Sequence, residues 1–303
     1  MHAVEIRAIT KTFGSHVAVD SLDLVVPEGS VYGFIGPNGS GKTTTLRMIM
    51  NILIPDRGTI QVLGRTLHSS MVDQVGYMPE ERGLYRRMKV RELLMFMASL
   101  KGLKSPGPEV NRWLKAMDLA AWGDKKLEVL SKGMAQKVQF IATVVARPRL
   151  VLLDEPFAGL DPVNTEVLKD AIVGLQKDGT SVIFSTHDMS MAERMCDFVF
   201  MIFNGRKVLD GTLDQIQGKY GQDTIRVRTD GSPFSAEDIP GVARVNDFGN
   251  TLELRMNPGT DPRAVLLELL QRSRIQSFDI VRPSLHDIFV RIAAPEKKET
   301  LHA

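Results

Sequence analysis

Residues 36–44 read Gly36-Pro37-Asn38-Gly39-Ser40-Gly41-Lys42-Thr43-Thr44, and they fill every fixed position of the pattern G-x-x-x-x-G-K-[ST]. The apolar run 31–35 precedes them and a helix-like stretch, 44–50, follows. Glycines let a backbone wrap a phosphate chain, and the start of a helix adds N–H groups and a positive dipole end. The pattern therefore predicts a phosphate-binding loop in which Lys42 reaches the β- and γ-phosphates and the Thr43 hydroxyl ligates Mg²⁺. A plain glycine-rich turn between a strand and a helix is the alternative.

The composition is that of an ordinary globular protein. The chain has 303 residues, enough for one large domain and a small one, and its net charge of +2 does not favour a nucleic-acid partner. It has a single cysteine, Cys196, so no intrachain disulfide can form. The charged N-terminus predicts no secretory signal, and no run reaches the roughly 18 apolar residues of a membrane helix. We expect a cytoplasmic protein whose membrane role comes through a partner.

Three short apolar runs predict the buried parallel strands of an open α/β sheet, and each ends where polar residues begin. They lie at 31–35, 150–153 and 181–185. In such sheets the ligand binds beyond the carboxyl ends of the strands. The other predicted parts of this domain are an antiparallel edge at 3–10 and 22–26, a mostly helical insert at about 86–146, a helix at 162–177 and a hairpin around Asn204-Gly205.

The pattern changes near residue 220, and a second, smaller unit of α+β type is predicted from there to residue 294. Strands are expected at 224–229, 251–256 and 276–281, and helices at 261–272 and 284–292. The sequence thus predicts a first domain at 1–220, a second at 221–294 and a polar, disordered tail at 295–303.

Two carboxylates, Asp154 and Glu155, end the second apolar run. After a phosphate loop, such a strand is typical of the magnesium side of a nucleotide site. Asp154 would hold Mg²⁺, and Glu155 would be the general base for the water that attacks the γ-phosphate. A strand followed by a solvated acidic turn is the alternative.

His187 follows the third apolar run, in the stretch Ser185-Thr186-His187-Asp188. A histidine at the carboxyl end of a strand could hydrogen-bond the γ-phosphate and help position the water. A histidine that is merely packed or solvated is the competing interpretation.

These motifs together resemble the nucleotide-binding subunit of an ATP-binding cassette (ABC) transporter over residues 1–220. The resemblance implies a P-loop NTPase core, ATP and Mg²⁺ as ligands, and a switch histidine at His187. It implies that the loop after the magnesium strand contributes Asp161, and that Phe13, in Lys11-Thr12-Phe13-Gly14, stacks on adenine. A buried core aromatic is the alternative for Phe13.

The family signature, ideally Leu-Ser-Gly-Gly-Gln, stands here as Leu130-Ser131-Lys132-Gly133-Met134. The residues whose hydroxyl and N–H groups contact the γ-phosphate in the family, Ser131 and Gly133, remain. The following helix would point its dipole at that phosphate. In the family this segment serves the ATP of the other subunit, so the resemblance implies that two copies, or this chain and a homologous ATPase, sandwich two nucleotides head to tail.

The loop between the core and the helical insert departs from the family pattern. The family has an apolar run, Pro and Gln, whereas here Glu80 follows Pro79 in Pro79-Glu80-Glu81-Arg82-Gly83-Leu84-Tyr85. A carboxylate can ligate Mg²⁺ more strongly than an amide, but it adds negative charge beside the triphosphate. Whether Glu80 binds the metal or turns away stays open.

This loop, the altered signature and the segment Pro283-Ser284-Leu285-His286-Asp287-Ile288-Phe289 resemble one bacterial subgroup of the family. Its members drive export through separate permeases of the ABC-2 type, including sodium and drug efflux systems. The resemblance implies an ATPase subunit held on the inner face of the cell membrane by its permease. A soluble cassette ATPase acting on DNA or ribosomes and an import ATPase are the alternatives. For the segment 283–289, a Ser-capped amphipathic helix with no special function is the alternative.

Overall fold

The computed structural model describes residues 1–66, 73–81, 83–220, 224–230 and 238–293. The chain forms two compact units, one over Met1–Thr212 and one that begins at Leu213. The expected disordered tail at 295–303 and Arg82 of the Glu80 loop lie outside the described residues. Among the described residues, no helix is long and apolar enough to cross a membrane.

The N-terminal strands form a small antiparallel sheet of their own, with the order β2-β1-β4. The expected antiparallel edge is therefore present, but it forms a separate sheet that meets the Asn204-Gly205 hairpin of the main sheet through the Asp20 N–H, which donates to the Gly205 carbonyl oxygen at 2.9 Å. Apolar side chains of this sheet, including Ile6 and Leu24, are buried against the core. The strands are β1 (His2–Phe13), β2 (His16–Pro27) and β4 (Arg57–Val62).

The main sheet has six strands in the order β5-β6-β7-β3-β8-β9, and only β9 runs antiparallel to its neighbour. The three predicted apolar strands are confirmed as adjacent parallel strands buried on both faces, as their unbroken apolar runs require. The strands are β3 (Val31–Ile35), β5 (Val75–Met78), β6 (Leu150–Asp154), β7 (Ser181–Thr186), β8 (Phe198–Phe203) and β9 (Arg206–Gly211).

Helices cover this sheet and build the predicted helical insert. Asp161 caps α5 and Pro162 occupies its first turn, which is why the helix begins where the sequence indicated. Ser131 caps α4 in the same way. The helices are α1 (Lys42–Ile49), α2 (Val90–Leu100), α3 (Gly107–Ala116), α4 (Lys132–Val144), α5 (Pro162–Lys177) and α6 (Met189–Met195).

The second unit has a four-stranded antiparallel sheet in the order β11-β12-β10-β13. One face packs on α8 through Ile225, Leu254, Val265 and Leu269. The sequence pattern did not indicate β11. The elements are α7 (Leu213–Lys219), β10 (Thr224–Thr229), β11 (Val242–Asp247), β12 (Thr251–Met256), α8 (Pro262–Arg272), β13 (Ile275–Val281) and α9 (Leu285–Ala293).

Candidate functional site

The loop between β3 and α1 is folded so closely that two of its glycines cannot be replaced. Gly41 has φ 109°, and a Cβ there would lie 2.5 Å from the Ala18 carbonyl oxygen. A Cβ on Gly36 would lie 2.2 Å from the Ile202 carbonyl oxygen. Both distances are far below van der Waals contact, so the pattern of glycines fixes the shape of the loop.

Lys42, the first residue of α1, keeps its ammonium group inside the loop. Its side chain is only 6% exposed, and Nζ donates to the carbonyl oxygens of Gly36, at 2.7 Å, and Pro37, at 3.1 Å. Nζ also lies 3.6 Å from Glu155 Oε1. A buried positive charge is thus held where a phosphate chain would lie, and a buried carboxylate balances it.

Asp154 ends β6, and two hydroxyl groups orient it. Ser185 Oγ, on the neighbouring strand β7, donates to Asp154 Oδ1 at 2.6 Å, and Thr43 Oγ1 donates to the same oxygen at 3.1 Å. The backbone N–H of Glu155 donates to Ser185 Oγ at 2.9 Å. Because Asp154 and Ser185 are partners in the β6–β7 register, the sheet itself brings these groups together.

Three buried oxygens around this cluster have no hydrogen-bond partner among the described residues: Ser40 Oγ, Asp154 Oδ2 and Glu155 Oε1. Asp154 is fully buried. A buried carboxylate oxygen without a donor is costly unless a cation or a proton meets it. Lys42 already lies 3.6 Å from Glu155 Oε1, so Ser40 Oγ and Asp154 Oδ2 are the oxygens without a partner among the described residues. The loop and these two oxygens therefore fit a bound polyphosphate and a divalent cation.

Glu155 is placed against His187 by a strained backbone. Its φ is +49°, a left-handed conformation that a residue with a Cβ adopts at a cost of about 1–3 kcal/mol. Oε2 lies 3.1 Å from His187 Nδ1. The His187 side chain is 59% exposed, so one end of the pair is buried beside Lys42 and the other meets solvent.

A cavity of 450 Å³ opens above the phosphate loop, and it brings several predicted site residues together. Phe13 stands at one side, half exposed, with Lys11 Nζ 5.7 Å from its ring centroid, so it is not a core residue. Glu80, exposed, stands on the cavity wall with Glu155. Also on the wall are His16, Ala18 and residues 38–44.

The segment that follows β5, and with it Glu80, is tied to the helical insert. Gln139 of α4, which is buried, donates through Nε2 to the carbonyl oxygens of Pro79, at 2.8 Å, and Glu81, at 3.3 Å. A shift of α4 would therefore move the backbone on both sides of Glu80.

The signature residues do not line this cavity. Ser131 is exposed, and its Oγ accepts from the Met134 N–H at 3.2 Å, so it caps α4. Asp161 is also exposed and accepts from the Asn164 N–H at 2.9 Å; this bond holds the pKa of the Asp161 carboxyl below its usual range. Gly133 lies between these caps, since a Cβ there would be 3.5 Å from Asn164. The three residues form one surface region away from the chain's own phosphate loop.

The sequence patterns did not indicate that Ser185, Gln139 and His16 belong to the site. Ser185 could have been found from the strand order, because the residue beside Asp154 on the next parallel strand must face the same edge. Gln139 lies eight positions beyond Ser131 on the same helix, but nothing local indicates that it reaches Pro79.

Family comparisons match most of the chain. The profile described as "ABC transporter" matches residues 19–158, and "ATP-binding protein DrrA1-3-like, C-terminal domain" matches 211–293. A third, "AAA domain, putative AbiEii toxin, Type IV TA system", matches 125–192 and overlaps the first.

Curated relatives match over nearly the whole length. The uncharacterized ABC transporter ATP-binding protein YhaQ of Bacillus subtilis is 38% identical, over 93% of this chain and 95% of its own. The daunorubicin/doxorubicin resistance ATP-binding protein DrrA of Streptomyces peucetius is 31% identical, over 96% and 92%. The Nod factor export ATP-binding protein I of Sinorhizobium fredii is 30% identical, over 98% and 88%.

Solved structures match the fold of about 72% of the chain. One described as the structure of an ATP binding subunit of an ABC transporter has a TM-score of 0.68 at 30% identity and covers 72% of this chain and 93% of its own. A nucleotide-free ATP-binding cassette from an ABC transporter has a TM-score of 0.64 at 21% identity and covers 72% and 94%, which supports the fold alone.

Proposed function

This chain belongs to the family of ABC transporter ATP-binding proteins, and we propose that it hydrolyses ATP to drive export through a separate membrane permease of the ABC-2 type. The observation on which the hydrolytic part rests is the buried cluster of Lys42, Asp154 and Glu155 at the phosphate loop. The export part rests on relatives named for drug resistance and Nod factor export and on the DrrA-like C-terminal domain.

ATP would lie along residues 36–44, with its phosphates on the loop N–H groups and on Lys42, and its adenine against the exposed face of Phe13. Mg²⁺, when bound with the nucleotide, would neutralise charge that develops on the phosphates. Thr43 and Asp154 would hold it, since Asp154 Oδ2 is buried without a donor among the described residues. No group of three or more His, Cys, Asp or Glu that could hold a metal occurs in the described ranges. Mg²⁺ commonly uses one or two protein ligands together with substrate phosphates.

Glu155 would accept the proton of the attacking water. Its Oε2 faces the solvent-exposed His187, so both groups can contact a water between the cavity and the surface. Lys42 Nζ lies 3.6 Å from Oε1 and so holds the other end of the carboxylate in place. Ser185 fixes the backbone N–H of Glu155 and the carboxylate of Asp154 at once, and so positions both.

Ser131, Gly133 and Asp161 would act on the nucleotide of a second copy in a head-to-tail dimer. Ser131 and Asp161 are exposed, Gly133 is half-buried between them, and none of the three lines the chain's own cavity. The N-terminus of α4, which Ser131 caps, offers N–H groups and a positive dipole end to a partner's γ-phosphate.

The permease would contact an exposed apolar patch formed by Tyr85, Phe96 and Leu100. The Tyr85 and Phe96 rings meet edge to face at 6.4 Å, and Leu100 follows Phe96 by one turn of α2. Exposed clusters of large apolar side chains mark interaction surfaces. Tyr85 of this patch lies five residues beyond Glu80 in sequence, so the segment that joins them could report nucleotide state to the permease. The chain would then reside on the cytoplasmic face of the cell membrane.

Nucleotide binding is tested first, with Lys42→Ala. We expect most ATP affinity to be lost, because the phosphates lose their fixed cation. Lys169→Ala is the matched control, since Lys169 forms a surface ion pair with Glu166 far from the loop in sequence. Normal ATP affinity in Lys42→Ala, measured by calorimetry, would refute the assignment of the loop.

The transport role is tested by purifying the tagged chain from detergent-solubilised membranes of its native host. We expect a multi-span membrane protein to co-purify, and Phe96→Ser to lose it while keeping ATP affinity. Recovery of ribosomes or DNA, or of a substrate-binding protein together with the permease, would instead support one of the alternative classes and contradict the export proposal.

A further inference from the structure

Phe13 is the last residue of β1, at a point where the strand is paired on one side only. The ladder between β1 and β4 ends at the pair Thr10–Arg57. Pairing with β2 continues as far as Phe13, but its register shifts twice between Ile9 and Thr12. The position of the Phe13 ring therefore depends on contacts beyond the backbone ladder.

Asp56, in the segment between α1 and β4, continues the contact beyond the end of that ladder. Its N–H donates to the Thr10 carbonyl oxygen at 2.8 Å. Its carboxylate accepts from the Thr12 N–H at 2.7 Å and from Lys11 Nζ at 2.8 Å. The Lys11 bond, followed by the Thr12 bond, lowers the pKa of the Asp56 carboxyl below its usual range, so the group is charged at neutral pH. One acidic residue thus holds three consecutive residues of β1.

Lys11 lies on a surface strand, yet its ammonium group is held in place. Its side chain is only 16% exposed, and Nζ donates to the Ile54 carbonyl oxygen at 2.8 Å as well as to Asp56. Lysine ammonium groups ordinarily extend into water. Here the two acceptors keep Nζ 5.7 Å from the centroid of the Phe13 ring, where a cation and an aromatic face attract each other. The ion pair therefore restrains the ring.

The acceptors of Lys11 lie in the segment that follows α1, the helix that begins in the phosphate loop. After α1 the chain turns tightly, because the N–H groups of Ile52 and Leu53 both donate to the Arg47 carbonyl oxygen, at 2.9 and 3.1 Å. Ile54 and Asp56 come next. The phosphate loop and the segment that holds Lys11 are thus joined by a single short helix, and this connection relates the phosphate end of the site to Phe13.

Phe13 lines the nucleotide cavity above the phosphate loop, and Lys11 does not. Phe13 is 48% exposed. The lysine therefore lies against the ring from outside the cavity and leaves the exposed part of the ring to a base. This arrangement positions a stacking surface without contacting the nucleotide.

We propose that Lys11 is a positioning residue for the adenine of the bound nucleotide. Held by Asp56 and Ile54, its ammonium group restrains the Phe13 ring on which the base stacks. The inference rests on the proposed stacking of adenine on Phe13, and it adds that base affinity depends on an ion pair outside the cavity. If the ion pair only joined two segments of the chain, its loss would lower stability and leave the preference for a base unchanged.

The test uses the full chain and two ligands, titrated by calorimetry. ADP has no γ-phosphate to hydrolyse, and pyrophosphate offers the phosphates without a base. Lys11→Met removes the charge and keeps most of the side-chain length. It should weaken ADP about two- to fivefold, the amount that an exposed cation–π contact contributes, and leave pyrophosphate affinity unchanged. Lys11→Arg should keep most of the ADP affinity, because a guanidinium group can also lie over the ring.

A double substitution shows whether the lysine acts through the ring. Phe13→Ala should weaken ADP more than Lys11→Met does, because it removes the stacking surface itself. Adding Lys11→Met to Phe13→Ala should weaken ADP no further, since residues that act through one contact are not additive. Asp56→Ala, which releases Lys11, should weaken ADP at least as much as Lys11→Met.

Arg7→Met is the matched control. Arg7 is also a basic residue of β1 in an ion pair, 2.6 Å from Glu5, and it does not line the cavity, so its loss should leave both ligands unaffected. If Phe13→Ala weakens ADP and Lys11→Met does not, the positioning role is overturned and Phe13 keeps its own. Equal losses of ADP and pyrophosphate in Lys11→Met overturn it in favour of a structural role. No effect of Phe13→Ala on ADP refutes adenine stacking and the positioning role together.

Discussion

Around the phosphate loop, Lys42, Asp154 and Glu155 are buried and joined through Thr43 and Ser185, whereas Ser131 and Asp161 lie at the surface. The exposed pair accepts hydrogen bonds from the first turns of the helices that it begins. The first region is organised for a ligand of its own chain. The second offers a helix N-terminus and polar groups to something outside the chain, and in the proposed head-to-tail dimer the two regions would complete a site between two copies.

The largest effect is expected in the buried region. Glu155→Gln keeps the shape of the side chain and loses the base, so hydrolysis should fall about 10²–10⁴-fold while ATP affinity is kept. The variant should accumulate as an ATP-bound dimer, seen as a doubled mass by light scattering. Glu166→Gln, on the exposed face of α5, is the control. If Glu155→Gln hydrolyses ATP at the wild-type rate, another residue must be the general base.

A substitution in the exposed region should affect hydrolysis without affecting ATP binding by the monomer. Ser131→Arg tests this. Its bulk and charge at the start of α4 should block the partner's phosphate and abolish hydrolysis, while monomer ATP affinity stays near the wild-type value. A parallel loss of ATP affinity would mean that Ser131 serves its own chain.

Mixing Ser131→Arg with Lys42→Ala sharpens that comparison. Each homodimer has two broken sites, but the mixed dimer has one site with an intact loop facing an intact signature. ATPase activity should reappear in the mixture and rise with the fraction of mixed dimer. No recovery at any ratio would count against the head-to-tail arrangement, or would mean that both sites must fire together; trapping ATP in the mixed dimer, measured with labelled nucleotide, distinguishes these outcomes.

The secondary structure was predicted best where local sequence signals are strong. The helix predicted at 162–177 is α5, because Asp161 and Pro162 are strong local start signals. The strands at 224–229 and 251–256 match β10 and β12, where alternation is unbroken. Strand β11 was missed because the bulge at Ala243 shifts its period.

The candidate site residues, too, were predicted where the signal is local in sequence. Motif spacing within 36–44 and at 154–155 was enough to indicate the buried site, since these residues are neighbours in sequence. The roles of Ser185 and Gln139 depend on the pairing of β6 with β7 and on the packing of α4, and no local pattern encodes either.

Glu80 lies between the two regions, on the cavity wall but tied to α4 through Gln139. If it contacts Mg²⁺, Glu80→Gln should weaken Mg²⁺ binding about tenfold or more, since a charge-assisted contact contributes roughly 1.5–3 kcal/mol. Metal-free ATP affinity should stay the same or improve slightly. The measurement is a Mg²⁺ titration of the ATPase rate, with and without permease. An unchanged Mg²⁺ curve together with lost permease stimulation would refute the metal contact and assign Glu80 to signalling.

The smallest effect is expected at Lys132, where the family signature has glycine. Its side chain is exposed and lies over Gly159, since a Cβ on Gly159 would be 2.8 Å from Lys132 Nζ. Next to the Ser131 cap, this ammonium group would attract the partner's triphosphate across the dimer. Lys132→Ala should leave monomer ATP affinity unchanged and weaken ATP-driven dimerisation about two- to threefold, because exposed charge pairs contribute about 0.2–1 kcal/mol. The loss should shrink as salt is raised, because the interaction is screened. Analytical ultracentrifugation of Glu155→Gln, with and without Lys132→Ala, measures it, and the exposed Lys125→Ala is the control. Tighter dimerisation in Lys132→Ala would mean that the lysine obstructs the interface, and the surface region would then act through Ser131, Gly133 and Asp161 without help from the lysine.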